Sequence, residues 1–88
     1  GFYTIEGQKF AHLYYLMGDA PVSLYIGLNN PENFQDFKIM VYDGHEYFQH
    51  ICARCQVIYW KAGGKIFIAV SANKKAELPT LTTAVEPI

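Results

Sequence analysis

The chain has 88 residues, 51% of them apolar and 16% aromatic, with a formal net charge of −1. That is enough apolar mass for one small packed core, which excludes a disordered segment, and the scattered, near-neutral charge excludes the footprint of a nucleic-acid binder. No apolar run approaches the roughly 18 residues of a membrane-spanning helix and no secretory leader pattern is read, so any membrane anchor is expected outside this sequence.

Seven Tyr, six Phe and one Trp favour strands over helices. Phe2 to Ile5 is a first short strand, closed by a turn at Glu6-Gly7-Gln8. From Lys9 to Met17, Phe10, His12, Tyr14 and Leu16 alternate with Ala11, Leu13, Tyr15 and Met17. Bulk on both sides predicts a strand that is largely covered. Gly18 to Pro21 turns the chain, and Val22 to Leu28 returns as the antiparallel partner. Asn29-Asn30-Pro31-Glu32 is the strongest break in the first half. Asn30 could cap a short helix there, with Pro31 at its first position, or the stretch could be an irregular loop. Phe37 to Tyr42 is a strand, Asp43-Gly44 a hairpin turn signal, and Glu46 to Cys52 the next strand. Ala53-Arg54 makes a tight turn or a bulge.

Gln56 to Trp60 and Lys65 to Val70 then form a hairpin closed within Lys61 to Gly64. A two-residue loop puts Val57, Tyr59, Ile66, Ile68 and Val70 on one face, and Ile58, Trp60, Phe67 and Ala69 on the other. Two apolar faces predict a central place in the sheet. Lys74 to Val85 has a helical stripe of Ala76, Leu78, Leu81 and Val85, which Pro79 interrupts or kinks. The expectation is a single α+β domain over residues 1–88, ordered from about 5 to 82. It would be a small antiparallel sheet of about five or six strands with one short C-terminal helix packed on it.

Chemistry-bearing residues gather in one place. His50 and Cys52 are two apart and share a strand face, Cys55 follows across a turn, and His45 is an additional candidate. Imidazole and thiolate suit zinc or copper, so His50, Cys52 and Cys55 form a candidate soft-metal site. A Cys52–Cys55 bridge across the turn is a second reading. Free, buried thiols are the favoured one. Strand-like flanks do not offer the helix N-terminus that activates a thioredoxin-type pair. Asp36, Asp43, Glu46, His12, Ser23 and Ser71 assemble no nucleophile motif or paired-carboxylate spacing, so no enzyme is expected. No cofactor is expected, zinc or copper being the alternative. Gly63-Gly64 lacks the spacing of a phosphate loop and reads as a turn needing positive φ. The aromatics, without a basic groove, read as core and sheet-face residues, with some left at a protein-binding edge.

Val57-Ile58-Tyr59-Trp60-Lys61, followed by Gly63-Gly64 and an apolar strand, resembles a hairpin found in the C-terminal domains of membrane-anchored anti-sigma factors. Glu77-Leu78 after the hairpin and Val22-Ser23-Leu24-Tyr25-Ile26 before it extend the likeness over roughly Ile5 to Leu81. The resemblance implies the extracytoplasmic sensor side of a larger protein, on the periplasmic face of a bacterial inner membrane. An N-terminal cytoplasmic domain would then inhibit an extracytoplasmic-function sigma factor. Implied partners are a periplasmic regulator or the rest of that chain. The membrane would be reached only through a segment outside these residues. His50-x-Cys52-x-x-Cys55 departs from the family pattern and leaves open a metal- or thiol-linked signal in an oxidising compartment.

Overall fold

Alternating apolar residues and short turns build a sheet here. In this computed structural model, which describes residues 1–5, 7–28, 37–73 and 76–84, the strands are β1 Phe2–Ile5, β2 Gln8–Met17, β3 Ala20–Gly27, β4 Lys38–Tyr42, β5 His45–Ile51, β6 Gln56–Ala62 and β7 Lys65–Ser71. Each apolar run becomes a strand, so the described residues hold seven strands rather than five or six. They form one sheet in the order β1-β2-β3-β7-β6-β5-β4, and every pairing is antiparallel. The possible helix at Asn30-Pro31 lies outside the described residues.

The β6–β7 hairpin stands at the middle of the sheet, as its two apolar faces require. Its loop is Gly63-Gly64, with φ of 59° and 76°, and Ala62 pairs Lys65 across it. Two consecutive positive φ values match the right-handed twist of the flanking strands and are costly for residues with a Cβ. The β4–β5 hairpin repeats this geometry at Asp43-Gly44.

Pleating sorts the side chains into two buried layers. Val22, Leu24, Ile58, Trp60, Phe67, Ala69 and Tyr47 lie on one face, packed with Leu78 and Leu81 from the C-terminal segment. Phe10, Tyr59, Ile66 and Ile68 form the other layer, flanked by Tyr25, Phe37, Phe48, Val57 and Val70. That second layer joins strands as distant as β2 and β5, so the twist of the sheet curls it around this face. Trp60 lies parallel to Phe67, centroids 5.3 Å apart. On the opposite face Tyr59 stacks on Phe48 at 4.6 Å and meets Phe37 edge-on at 5.3 Å. Phe10 is fully buried, and its ring lies over Gly27, where an added Cβ would come within 2.6 Å of Cδ1.

Two expectations need correction. The far half of β2 is not covered: Leu13, Tyr14 and Leu16 are all exposed. The register explains this, because β1 pairs only with Gln8 to Ala11 and leaves the rest of β2 on an outer edge. The C-terminal helix is also shorter than Lys74 to Val85. Ala76 and Glu77 are not helical, Leu78–Thr80 is a 3-10 turn, and α1 spans Leu81–Ala84. Lys74, Lys75 and Val85 lie outside the described residues. Pro79 is the physical reason: it has no N–H to donate and its ring clashes with the carbonyl four residues back, so it is accepted in a first turn and helix begins only around it. Thr80, Thr82 and Thr83 also turn their hydroxyls onto the carbonyls of Glu77, Pro79 and Thr80, a local bonding pattern that competes with a regular helix. Leu78 and Leu81 nonetheless reach the core, so a short C-terminal helix packs on an antiparallel sheet in an α+β fold.

Candidate functional site: the Cys52–Cys55 end of the sheet

β5 and β6 are joined by the turn Cys52 to Cys55. Ile51 pairs Gln56 at the last rung, and the Cys52 amide donates to the Cys55 carbonyl at 2.9 Å. The two cysteines are disulfide-bonded, with Cα atoms 4.8 Å apart. Free, buried thiols are therefore the reading to correct. A tight turn between neighbouring strands brings two Cα atoms into bridging range, and both residues are only half-buried. Ala53 and Arg54 between them are exposed. Neither cysteine belongs to a buried apolar layer.

His50 pairs Val57 one rung further from this turn, and strand alternation puts it on the same side as the cysteines. Its ring packs against Phe37, centroids 5.5 Å apart. His45 begins β5, opposite Tyr42 at the far end. At strand rise it is on the order of 20 Å from Cys52, out of reach of a common ion. Among the described residues no three His, Cys, Asp or Glu side chains converge on one point. With both sulfurs in a disulfide, neither is a thiolate ligand in this state.

Gln56, next to Cys55, opens β6 at this end of the sheet. It is a buried amide in an apolar strand and is 2% exposed. Its Nε2 donates to the Ala76 carbonyl at 2.8 Å, and its Oε1 accepts from Gln49 Nε2 at 3.1 Å. It pins the chain after β7 to the rungs that end at the disulfide. The only sequence signal is a lone amide at a position whose alternation calls for an apolar residue.

Of the remaining polar candidates, Ser71 and His12 have structural work. Ser71 is buried, and its Oγ accepts the Asn73 amide at 3.1 Å, turning the chain after β7. His12 stacks on Tyr25 at 4.8 Å. Asp43 and Glu46 are exposed at the other end of β5, and Asp36 lies outside the described residues. Burial pushes the Tyr47 and Tyr59 phenols above the ordinary value of 10.0. Clefts of about 370 Å³ beside Asp19 and Glu77, and 330 Å³ between Lys9 and Lys65, gather none of the histidines or cysteines. No helix among the described residues is long and apolar enough to cross a membrane. Comparison with protein-family models, curated proteins and solved structures returned no match.

Proposed function

We propose that this chain is a non-catalytic extracytoplasmic sensor or interaction domain of an anti-sigma factor, regulating an extracytoplasmic-function sigma factor. The observation that carries the reading is the hairpin behind the resemblance. Tyr59-Trp60 and Gly63-Gly64 lie on the central strand pair, with both rings buried on opposite faces. Leu78, from the Glu77-Leu78 pair, packs back on the Trp60 face, so the stretches that carry the resemblance share one buried layer. In this reading the domain works from the periplasmic side, its partners are proteins, and nucleic acid is not bound. The gene around this coding stretch tests it. A membrane-spanning segment ahead of Gly1 and an adjacent sigma-factor gene are the expected findings. Absence of both rejects the reading.

A second reading is favoured by the cysteine pair lying at the half-buried end of β5 and β6 instead of in the core. Here the chain is a thiol- or metal-responsive binding module. In its reduced form Cys52, Cys55 and His50 would supply soft ligands to zinc or copper. Native mass spectrometry of the reduced protein with zinc or copper(I) tests it. One bound metal, lost in His50→Ala, is expected; a metal-free spectrum at stoichiometric metal sinks the metal form.

A further inference from the structure

The Cys52–Cys55 bridge closes a turn that backbone contacts also hold. It sits outside both buried layers. The turn it closes is already held by the Cys52 amide on the Cys55 carbonyl and by the Ile51–Gln56 rung. The loop spans a sequence separation of 3, so breaking it releases less chain entropy than breaking a longer loop would. Both cysteines are half-buried, and the two residues between them are exposed, so an incoming nucleophile needs no core opening.

From these observations we infer that Cys52–Cys55 is a reversible dithiol-exchange site, reduced by a dithiol while the domain stays folded. A thiolate of the dithiol attacks one sulfur of the bridge. The S–S bond breaks, a mixed disulfide forms, and the other cysteine leaves as a thiolate and takes a proton. The second thiol of the reductant then attacks its own sulfur in the mixed disulfide. It releases the remaining cysteine, which takes the second proton, and closes the reductant as a cyclic disulfide. One dithiol is oxidised and one protein disulfide reduced, with two electrons and two protons transferred. The inference deepens the thiol form of the second reading and needs neither a metal nor the anti-sigma reading; the metal test starts from protein already reduced, so the two outcomes are read separately.

The test uses the oxidised protein without denaturant, in graded mixtures of reduced and oxidised dithiothreitol. Samples are acid-quenched, alkylated and counted by mass spectrometry, with near-ultraviolet circular dichroism taken on the same samples. Both cysteines should label while the tertiary signal is retained, and oxidised dithiothreitol should restore the bridge. The single variants Cys52→Ser and Cys55→Ser should each form a mixed disulfide with oxidised glutathione in the folded state. Labelling that appears only with loss of the tertiary signal, or only in denaturant, overturns the inference. So does failure of both single variants to form the mixed disulfide.

Discussion

Trp60 is the largest side chain in the layer under the C-terminal segment, 3% exposed and stacked on Phe67. Its truncation removes an indole from a closed core. Trp60→Ala should cost about 3–5 kcal/mol in urea denaturation. The indole Nε1 is buried without a hydrogen-bond partner among the described residues, a cost the fold already carries. Trp60→Phe loses volume but also removes that unpaired donor, and should cost clearly less than Trp60→Ala. A loss as large as that of Trp60→Ala would show that the nitrogen is satisfied in solution. Gly27 argues from space instead of volume. With the Phe10 ring buried over it, Gly27→Ala should cost about 1–3 kcal/mol, and Phe10→Leu in the same chain should recover part of that loss. Purely additive losses would contradict the contact. Tyr47 and Tyr59 carry a pH dependence. Their folded values lie above 10.0, so the unfolded chain gives up these protons first. Stability is unaffected below the unfolded value and falls as pH rises from there through the folded values. Tyr47→Phe and Tyr59→Phe should each flatten that alkaline decline, as read from unfolding midpoints between pH 9 and 11.

At the scale of elements, the β6–β7 hairpin was the most legible part of the chain. Its alternation is strict, and a two-residue loop at Ala62-Gly63 or at Gly63-Gly64 gives the same parity, so both faces follow from the sequence, while the register is fixed by the Ala62–Lys65 pair. The β4–β5 hairpin was legible for the same reason at Asp43-Gly44. The C-terminal segment was not. Its stripe of Ala76, Leu78 and Leu81 does reach the core, and that regularity suggested a longer helix. Pro79 and the three threonine hydroxyls determine instead where helix can start. What holds the segment also involves Gln56, which no periodicity reveals because its partner is a backbone carbonyl distant in sequence. Gln56→Ala takes the Gln56 side chain away from that part-buried carbonyl and from Gln49. It should cost about 1–3 kcal/mol. Amide hydrogen exchange should quicken at Ala76 to Ala84 more than in β6 and β7. Uniform acceleration would mean that Gln56 supports the whole sheet and not this segment.

The whole molecule is a twisted sheet with its most apolar strand pair at the centre and its reactive group at one end. Local pattern could place the strands but not their order. Nothing in Phe37 to Tyr42 says that β4 is an edge with both faces exposed, because neighbour identity is a tertiary property. The cysteine pair shows the same limit. Sequence spacing allowed ligands, thiols or a bridge, and only the Ile51–Gln56 register brings the two Cα atoms to bridging distance. The account divides labour accordingly: the central hairpin holds the fold, and the Cys52–Cys55 turn is separable from it. Paired urea denaturation of Trp60→Ala and of the double variant Cys52→Ser/Cys55→Ser tests this most directly. A bridge over so short a loop is worth about 2 kcal/mol by chain entropy, so the double serine variant should fold cooperatively and lose no more than that, less than Trp60→Ala. A double variant that fails to fold, or loses more than Trp60→Ala, would contradict it.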